Sequence, residues 1–225
     1  MHWLEKWLLP PKCVISGQES AERDIAEQLV EQWAVPKAVC PQCCEPSFAG
    51  EVCGRCLTQP PAFDQTQVGF YFDAELTDLI HGLKYQGKPA YARVLGELLA
   101  EKIQPQGVEA LLAVPLYSAR YRQRGFNQAE LIAETLADKL AIPLIKQAVF
   151  RVKDTPSQTH LNAKQRGHNL KNAFDVDSAR LQGIEKIALL DDVITTGATM
   201  QSLAQKIKQH TSIEQIQAWA VAKTK

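Results

Sequence analysis

The spacing of hydrophobic positions along this chain changes near residue 65. Before it, one stretch has helical spacing: in Ser20–Trp33 (SAERDIAEQLVEQW), Ile25, Leu29 and Trp33 recur every fourth residue behind a serine suited to cap a helix. Gln59-Pro60-Pro61 then marks a linker. Beyond the linker, short apolar runs alternate with longer amphipathic ones. Strands are predicted at Val68–Phe72, Ala110–Val114, Ala148–Val152, Ile187–Leu190 and Ile216–Ala222. Helices are predicted at Glu75–Tyr85, Tyr91–Ile103 and Gln128–Leu140, the last with Leu131, Leu136 and Leu140 inward, and again from the loop after Leu190 to about Gln209. Apolar strands separated by helices imply βαβ crossovers, hence an α/β domain whose parallel sheet is covered by helices on both faces. The predicted division is an N-terminal segment, 1–64, and an α/β domain, 65–225.

Composition adds little to this. With 25 Lys+Arg against 25 Asp+Glu, bulk charge points to no partner. No apolar run approaches the roughly 18 residues of a membrane span. The opening MHWLEKWLLPPKC carries Glu5 and has no long apolar stretch, so neither membrane insertion nor a signal peptide is expected, and the cytoplasm is the expected compartment.

That compartment decides how the cysteines are read, because clustered thiols in a reducing environment are more often metal ligands than disulfides. Five of the six lie between Cys40 and Cys56. Cys40-Pro-Gln-Cys43 and Cys53-Gly-Arg-Cys56, nine residues apart, form two CxxC turns that can close a tetrahedral structural zinc site through Cys40, Cys43, Cys53 and Cys56. So small a segment has little core of its own, and metal binding would supply its folding free energy. Cys44 is spare. Cys13 stands alone, with Ser16 where a CxxC partner would be. The segment is acidic, five Lys/Arg against nine Asp/Glu over 1–64, which argues for a structural or docking role rather than phosphate contact.

The strongest candidate site is Ile187–Met200, IALLDDVITTGATM. A parallel strand ending at Leu190 would deliver Asp191 and Asp192 to the carboxyl edge of the sheet, where ligands of open α/β folds sit. Thr195, Thr196, Gly197, Ala198 and Thr199 then open the next helix, whose free N–H groups suit a phosphate. Acids beside such a cradle make sense if they face vicinal hydroxyls or a magnesium ion on the same ligand. The bland alternative is an acid-capped, threonine-capped helix with no ligand. A second candidate is the basic turn after Val114-Pro115-Leu116, where Arg120, Arg122 and Arg124 at alternate positions could grip a diphosphate. A third is the polar stretch Arg151–Phe174, with the profile of a mobile functional loop. Residues 117–172 hold ten Lys/Arg and four Asp/Glu, so a basic region accompanies the candidate phosphate site.

An apolar strand, two acids and a Thr-Thr-Gly-x-Thr loop resemble the 5-phosphoribosyl 1-pyrophosphate motif of type I phosphoribosyltransferases. The resemblance implies that Asp191 and Asp192 hold the ribose hydroxyls, with magnesium, and that Thr195 to Thr199 hold the 5-phosphate. Taken with CPQC, CGRC followed by Pro-Pro, LIHGLKY, VPL, RYRQRGFNQ and the spacing of Gln158, Leu161, Arg166 and Asn169, the chain resembles the ComF family, which includes GntX-like proteins. That resemblance implies a type I phosphoribosyltransferase fold behind a zinc ribbon whose first half is degenerate. It also implies Gln158, Arg166 and Asn169 as flexible-loop site residues, and a role in natural competence or the use of DNA as a nutrient. Single-stranded DNA and DNA-uptake proteins become candidate partners. No general base or acceptor is evident. A rival reading is a non-catalytic, nucleotide-sensing adaptor that docks DNA-uptake partners through its zinc ribbon.

Overall fold

The computed structural model describes residues 11–20, 23–154 and 172–224. Its centre is a parallel sheet of four strands, β1 (Gln65–Tyr71), β2 (Ala110–Ala113), β5 (Lys186–Ile194) and β6 (Gln215–Lys223), in the order β1-β6-β5-β2. The expected α/β class with a parallel sheet is what the chain forms. In register, Leu189 lies beside Ala218 and Asp191 beside Ala220.

Alternation along the two central strands explains why both read as unbroken apolar runs. Ala188, Leu190, Trp219 and Val221 face one core, filled by α1 (Ala74–Tyr85), α2 (Ala90–Ala100) and α4 (Gln128–Leu140). Ile187, Leu189, Ala218 and Ala220 face a second core, filled by α5 (Ala198–His210) through Met200, Leu203 and Ile207. A strand buried on both faces has no polar side to show.

Two of these helices, α2 and α4, meet closely at Gly96. A Cβ built there would lie 2.7 Å from Thr135 Cβ and 3.0 Å from the Ile132 carbonyl oxygen. The Gly96→Ala variant should therefore lose stability. Overpacking costs about 1–3 kcal/mol, and the better helix propensity of alanine offsets up to about 1 kcal/mol. A lowered urea midpoint with an unchanged slope is the expected result.

Several elements differ from the sequence-based expectation. The helix expected over Ser20–Trp33 shrinks, among the described residues, to the single turn Glu27–Val30. The Ser20 hydroxyl donates to the Ile25 carbonyl at 2.8 Å instead of capping a helix. Tertiary packing decides the path: Ile25 and Trp33 enter the first core, with Trp33 edge-to-face on Phe70 at 5.2 Å and its indole N–H donating to Glu75. The second helix ends at Ala100 rather than Ile103.

The strand expected at Ala148–Val152 forms as β3 (Val149–Arg151), but outside the parallel sheet. It pairs antiparallel with β4 (Phe174–Val176) in a separate two-stranded ribbon. Finally, β5 runs on to Ile194, so Asp191 and Asp192 lie within its last turns of pleat rather than beyond its end. No helix among the described residues is long and apolar enough to cross a membrane.

Candidate functional site

At the carboxyl edge of the sheet a cavity of about 470 Å³ opens where β2, β5 and the start of α5 converge. Asp191, Asp192, Thr195, Gly197, Ala198 and Thr199 line it; Thr196 is exposed and does not. Gly197 sits at φ 75° in the N-cap position of α5, where no side chain closes the first turn. The two acids stand in β5, several residues before α5, so they do not cap the helix. The uncapped N–H groups of α5 face a cavity holding hydroxyls, and an anion suits that arrangement.

Opposite the loop, α1 supplies a residue that periodicity did not single out. Lys84 Nζ lies 2.8 Å from Asp192 Oδ1, and both side chains are largely buried. Burial alone would lower the Lys84 pKa, but Asp192 and Asp191 outweigh it and hold the ammonium above its usual range. Asp192 is 3% exposed, and its second oxygen, Oδ2, is buried without a hydrogen-bond partner. Such an atom is costly unless a ligand hydroxyl or a cation meets it.

Asp191 differs from its neighbour. Burial first, and the Asp192 carboxylate second, push its pKa up to about 7. Unfolded, this carboxyl loses its proton near pH 4. Folded, it keeps the proton to about 7, so its contribution to stability is present below pH 4 and lost as pH rises from 4 to 7. The Asp191→Asn variant should therefore be increasingly more stable than wild type across that window, then level off. At about 1.4 kcal/mol per unit, discounted by half because Asp191 is partly open to solvent, the gain is roughly 2 kcal/mol. Thermal melts at pH 4, 5.5 and 7.5 measure it, and a pH-independent difference would contradict the perturbation.

The three arginines form no turn. Ser118–Arg124 is a short helix, α3, so alternate positions point apart while residues four apart share a face. Arg120 lines the cavity and lies 3.4 Å from Asp154. Arg124 instead lines an adjoining recess of about 580 Å³, stacks 5.3 Å from the Tyr85 ring and donates to Gln128 at 2.5 Å. Arg122 lines neither space. A cation not singled out within the candidate stretch 151–174 takes its place: Arg151 of β3, drawn to the cavity wall by the bridge between Tyr117 and Arg151. Gln158, Arg166 and Asn169 lie outside the described residues.

The cysteines gather as the spacing predicts. The Sγ atoms of Cys40, Cys43, Cys53 and Cys56 all lie within 4.8 Å of one another. Cys43 Sγ and Cys53 Sγ are 3.7 Å apart. A zinc tetrahedron with bonds of about 2.3 Å has edges of about 3.8 Å, so the cluster has the size zinc needs. Burial would oppose ionisation of Cys40, but backbone N–H groups, that of Cys53 foremost, outweigh it and bring its thiol to about 7. Cys44 points away from the cluster's chemistry: burial raises its thiol to about 11.

Cys13 sits in a turn with the same backbone pattern. Cys13 N–H donates to Gln18 O at 2.8 Å, as Cys40 N–H does to Glu45 O at 2.8 Å. Gly17 N–H returns to Cys13 O at 2.7 Å, as Cys44 N–H does to Cys40 O at 2.8 Å. Bridges Lys12–Glu19 and Val39–Pro46 close the two turns. The first turn thus keeps the ligand-presenting shape with Ser16 in a cysteine's position, and Cys13 packs into the first core.

The chain matches no family model. It is 36% identical over 187 residues to competence protein F of Haemophilus influenzae, covering 80% of this chain and 81% of that protein. It is 33% identical over 196 residues to the DNA utilization protein YhgH of Escherichia coli, covering 84% and 85%. The competence protein ComFC of Bacillus subtilis is 25% identical over 181 residues, covering 74% and 70%.

Proposed function

The chain belongs to the ComF family, and we propose that, like relatives named for competence and DNA utilization, it acts in the uptake or use of external DNA through a domain that binds 5-phosphoribosyl 1-pyrophosphate. The observation that carries the ligand is the cavity itself. It joins an uncapped helix N-terminus to two carboxylates and to the cations Lys84, Arg120 and Arg151. A pentose carrying phosphate groups at two ends matches that division of charge. The 5-phosphate would sit on the N–H groups and hydroxyls of 195–199. The ribose hydroxyls would donate to Asp191 and Asp192, including the unpartnered Oδ2. The diphosphate would lie toward Arg120 and Arg151.

The orphaned Asp192 oxygen and its neighbour Asp191 also suit a magnesium ion, which when bound would neutralise diphosphate charge and order the ligand. This chain's own contribution to group transfer would be electrostatic. Arg120, Arg151 and Lys84 stabilise negative charge as the bond between the sugar carbon and the diphosphate oxygen breaks and its electron pair leaves with pyrophosphate. His81 and Asp191 both line the cavity and are the candidates to take a proton from an acceptor.

Calorimetric titration with phosphoribosyl pyrophosphate and magnesium tests the ligand. A pyrophosphate-release assay over a panel of bases and nucleotides tests the reaction. Binding with release makes the protein a transferase, and binding without release favours a ligand-sensing adaptor. Absence of binding overturns the ligand assignment.

A further inference from the structure

One buried side chain joins the cysteine cluster to the phosphate loop. Lys223, the last residue of β6, is 2% exposed. Its ammonium donates to Glu45 Oε1 at 2.8 Å, to the Thr195 carbonyl at 3.3 Å and to the Thr224 carbonyl at 3.4 Å. An ammonium has three protons to place, and a buried one is costly unless each is met and its charge is balanced. Glu45 supplies the balancing charge. It belongs to the Cys40–Pro46 turn, where its own carbonyl accepts from Cys40 N–H. Thr195 opens the anion-facing loop.

The turn is also pinned from the other side. Thr66 N–H donates to the Pro41 carbonyl at 2.8 Å and the Thr66 hydroxyl to the Gln42 carbonyl at 2.5 Å. A second strut runs from the linker: Ala62 N–H donates to Gln201 Oε1 at 2.7 Å, and the Phe63 ring stands 3.7 Å from where a Cβ on Gly197 would be.

We propose that Lys223 is a positioning residue that couples the two sites, so that metal held by the four cysteines and an anion held by residues 195–199 strengthen each other's binding. The physical route is short. With metal bound, the turn is fixed and Glu45 holds Lys223 in place. Lys223 then holds the Thr195 carbonyl and, because the peptide is planar, the direction of the Thr196 N–H. Without metal the turn loosens, Glu45 leaves, and a buried ammonium lacking its countercharge moves toward solvent and releases the loop. Coupling of this kind is reciprocal.

The inference rests on the zinc and phosphate readings above, so its test has an arm that needs no ligand. Amide exchange of residues 194–200 is followed in zinc-loaded and chelator-treated protein, for wild type, Glu45→Gln and Lys223→Met. In wild type, zinc removal should speed exchange there by about fivefold or more, the lower end of typical coupling. Zinc-loaded Glu45→Gln and Lys223→Met should keep one zinc yet exchange as fast as the chelated wild type. In the second arm, phosphoribosyl pyrophosphate should slow zinc transfer to a chromogenic chelator by the same factor in wild type and not in the variants. Loop exchange that ignores zinc, or variants that retain the zinc effect, overturns the proposal. A zinc effect on exchange in a protein that does not bind phosphoribosyl pyrophosphate removes only the ligand assignment, whereas phosphoribosyl pyrophosphate that binds without slowing zinc transfer overturns the coupling. A lysine that is merely structural lowers the melting temperature without abolishing the dependence on zinc.

Discussion

Replacing Asp191 and Asp192 together by asparagine lowers the affinity for phosphoribosyl pyrophosphate with magnesium by about 100-fold or more. Each charged hydrogen bond to a ligand hydroxyl contributes about 1.5–3 kcal/mol, and 1.4 kcal/mol is a factor of ten. Titration calorimetry reads this loss, and wild-type affinity in the double variant would mean that the acids face no ligand. Sequence alone suggests that stability should hold or rise, since two like charges stand side by side. The Lys84 ion pair changes that expectation for one of them. Asp192→Asn leaves a mostly buried ammonium without its counterion, and breaking a fully buried pair costs about 3–5 kcal/mol. Lys84 is 20% exposed at its side chain, so a loss of about 2 kcal/mol is expected here. Asp191→Asn has no such partner to strand and relieves its own raised pKa. The two single variants should therefore shift the melting temperature in opposite directions at pH 7.5 while both weaken binding. Shifts in the same direction would refute the unequal roles that the geometry gives these neighbours.

The strands and helices that were legible in the sequence are those whose environment imposes one period. In β5 and β6 both faces are buried, and in α1 and α4 a single stripe is, so the pattern survives in the order of residues. The carboxylate-threonine loop was legible for a related reason: glycine at a left-handed position and hydroxyls after an apolar strand are local features. What escaped depends on contacts distant in sequence. Helix periodicity could not place Lys84 over Asp192, since 108 positions separate them and only the packing of α1 on the sheet brings them together. Arg151 reached the cavity through a strand pairing with Phe174, in a three-residue strand too short to carry a period. The arginines misled because alternate spacing suggests an extended turn, whereas a helix puts 120 and 124 on one face and 122 on another. Helical spacing over 20–33 was real but weaker than the burial of Ile25 and Trp33 in the main core.

The cysteine cluster yields the prediction with the largest energetic consequence. Purified protein should hold one zinc per chain, and Cys40→Ser should hold none. In isolated zinc peptides the metal contributes an apparent 10–16 kcal/mol at neutral pH, which is their whole folding free energy. Here the consequence should be confined, because the α/β cores are built from other residues and the ribbon contributes little to them. Amides hydrogen-bonded within the ribbon, such as those of Cys40, Cys44 and Ser47, should lose protection entirely in Cys40→Ser. Those of β6 and of β5 up to Val193 should stay protected. Cys13→Ser provides the contrast. Its turn keeps the same backbone pattern, but its thiol packs in the first core, so this variant should keep one zinc and lose about 1–3 kcal/mol of global stability by burying a hydroxyl. Elemental analysis and hydrogen exchange on the two variants separate the roles. Two zincs in wild type, or zinc lost from Cys13→Ser, would make the first turn a second metal site, and full ribbon protection in Cys40→Ser would show that the fold of this segment does not depend on metal.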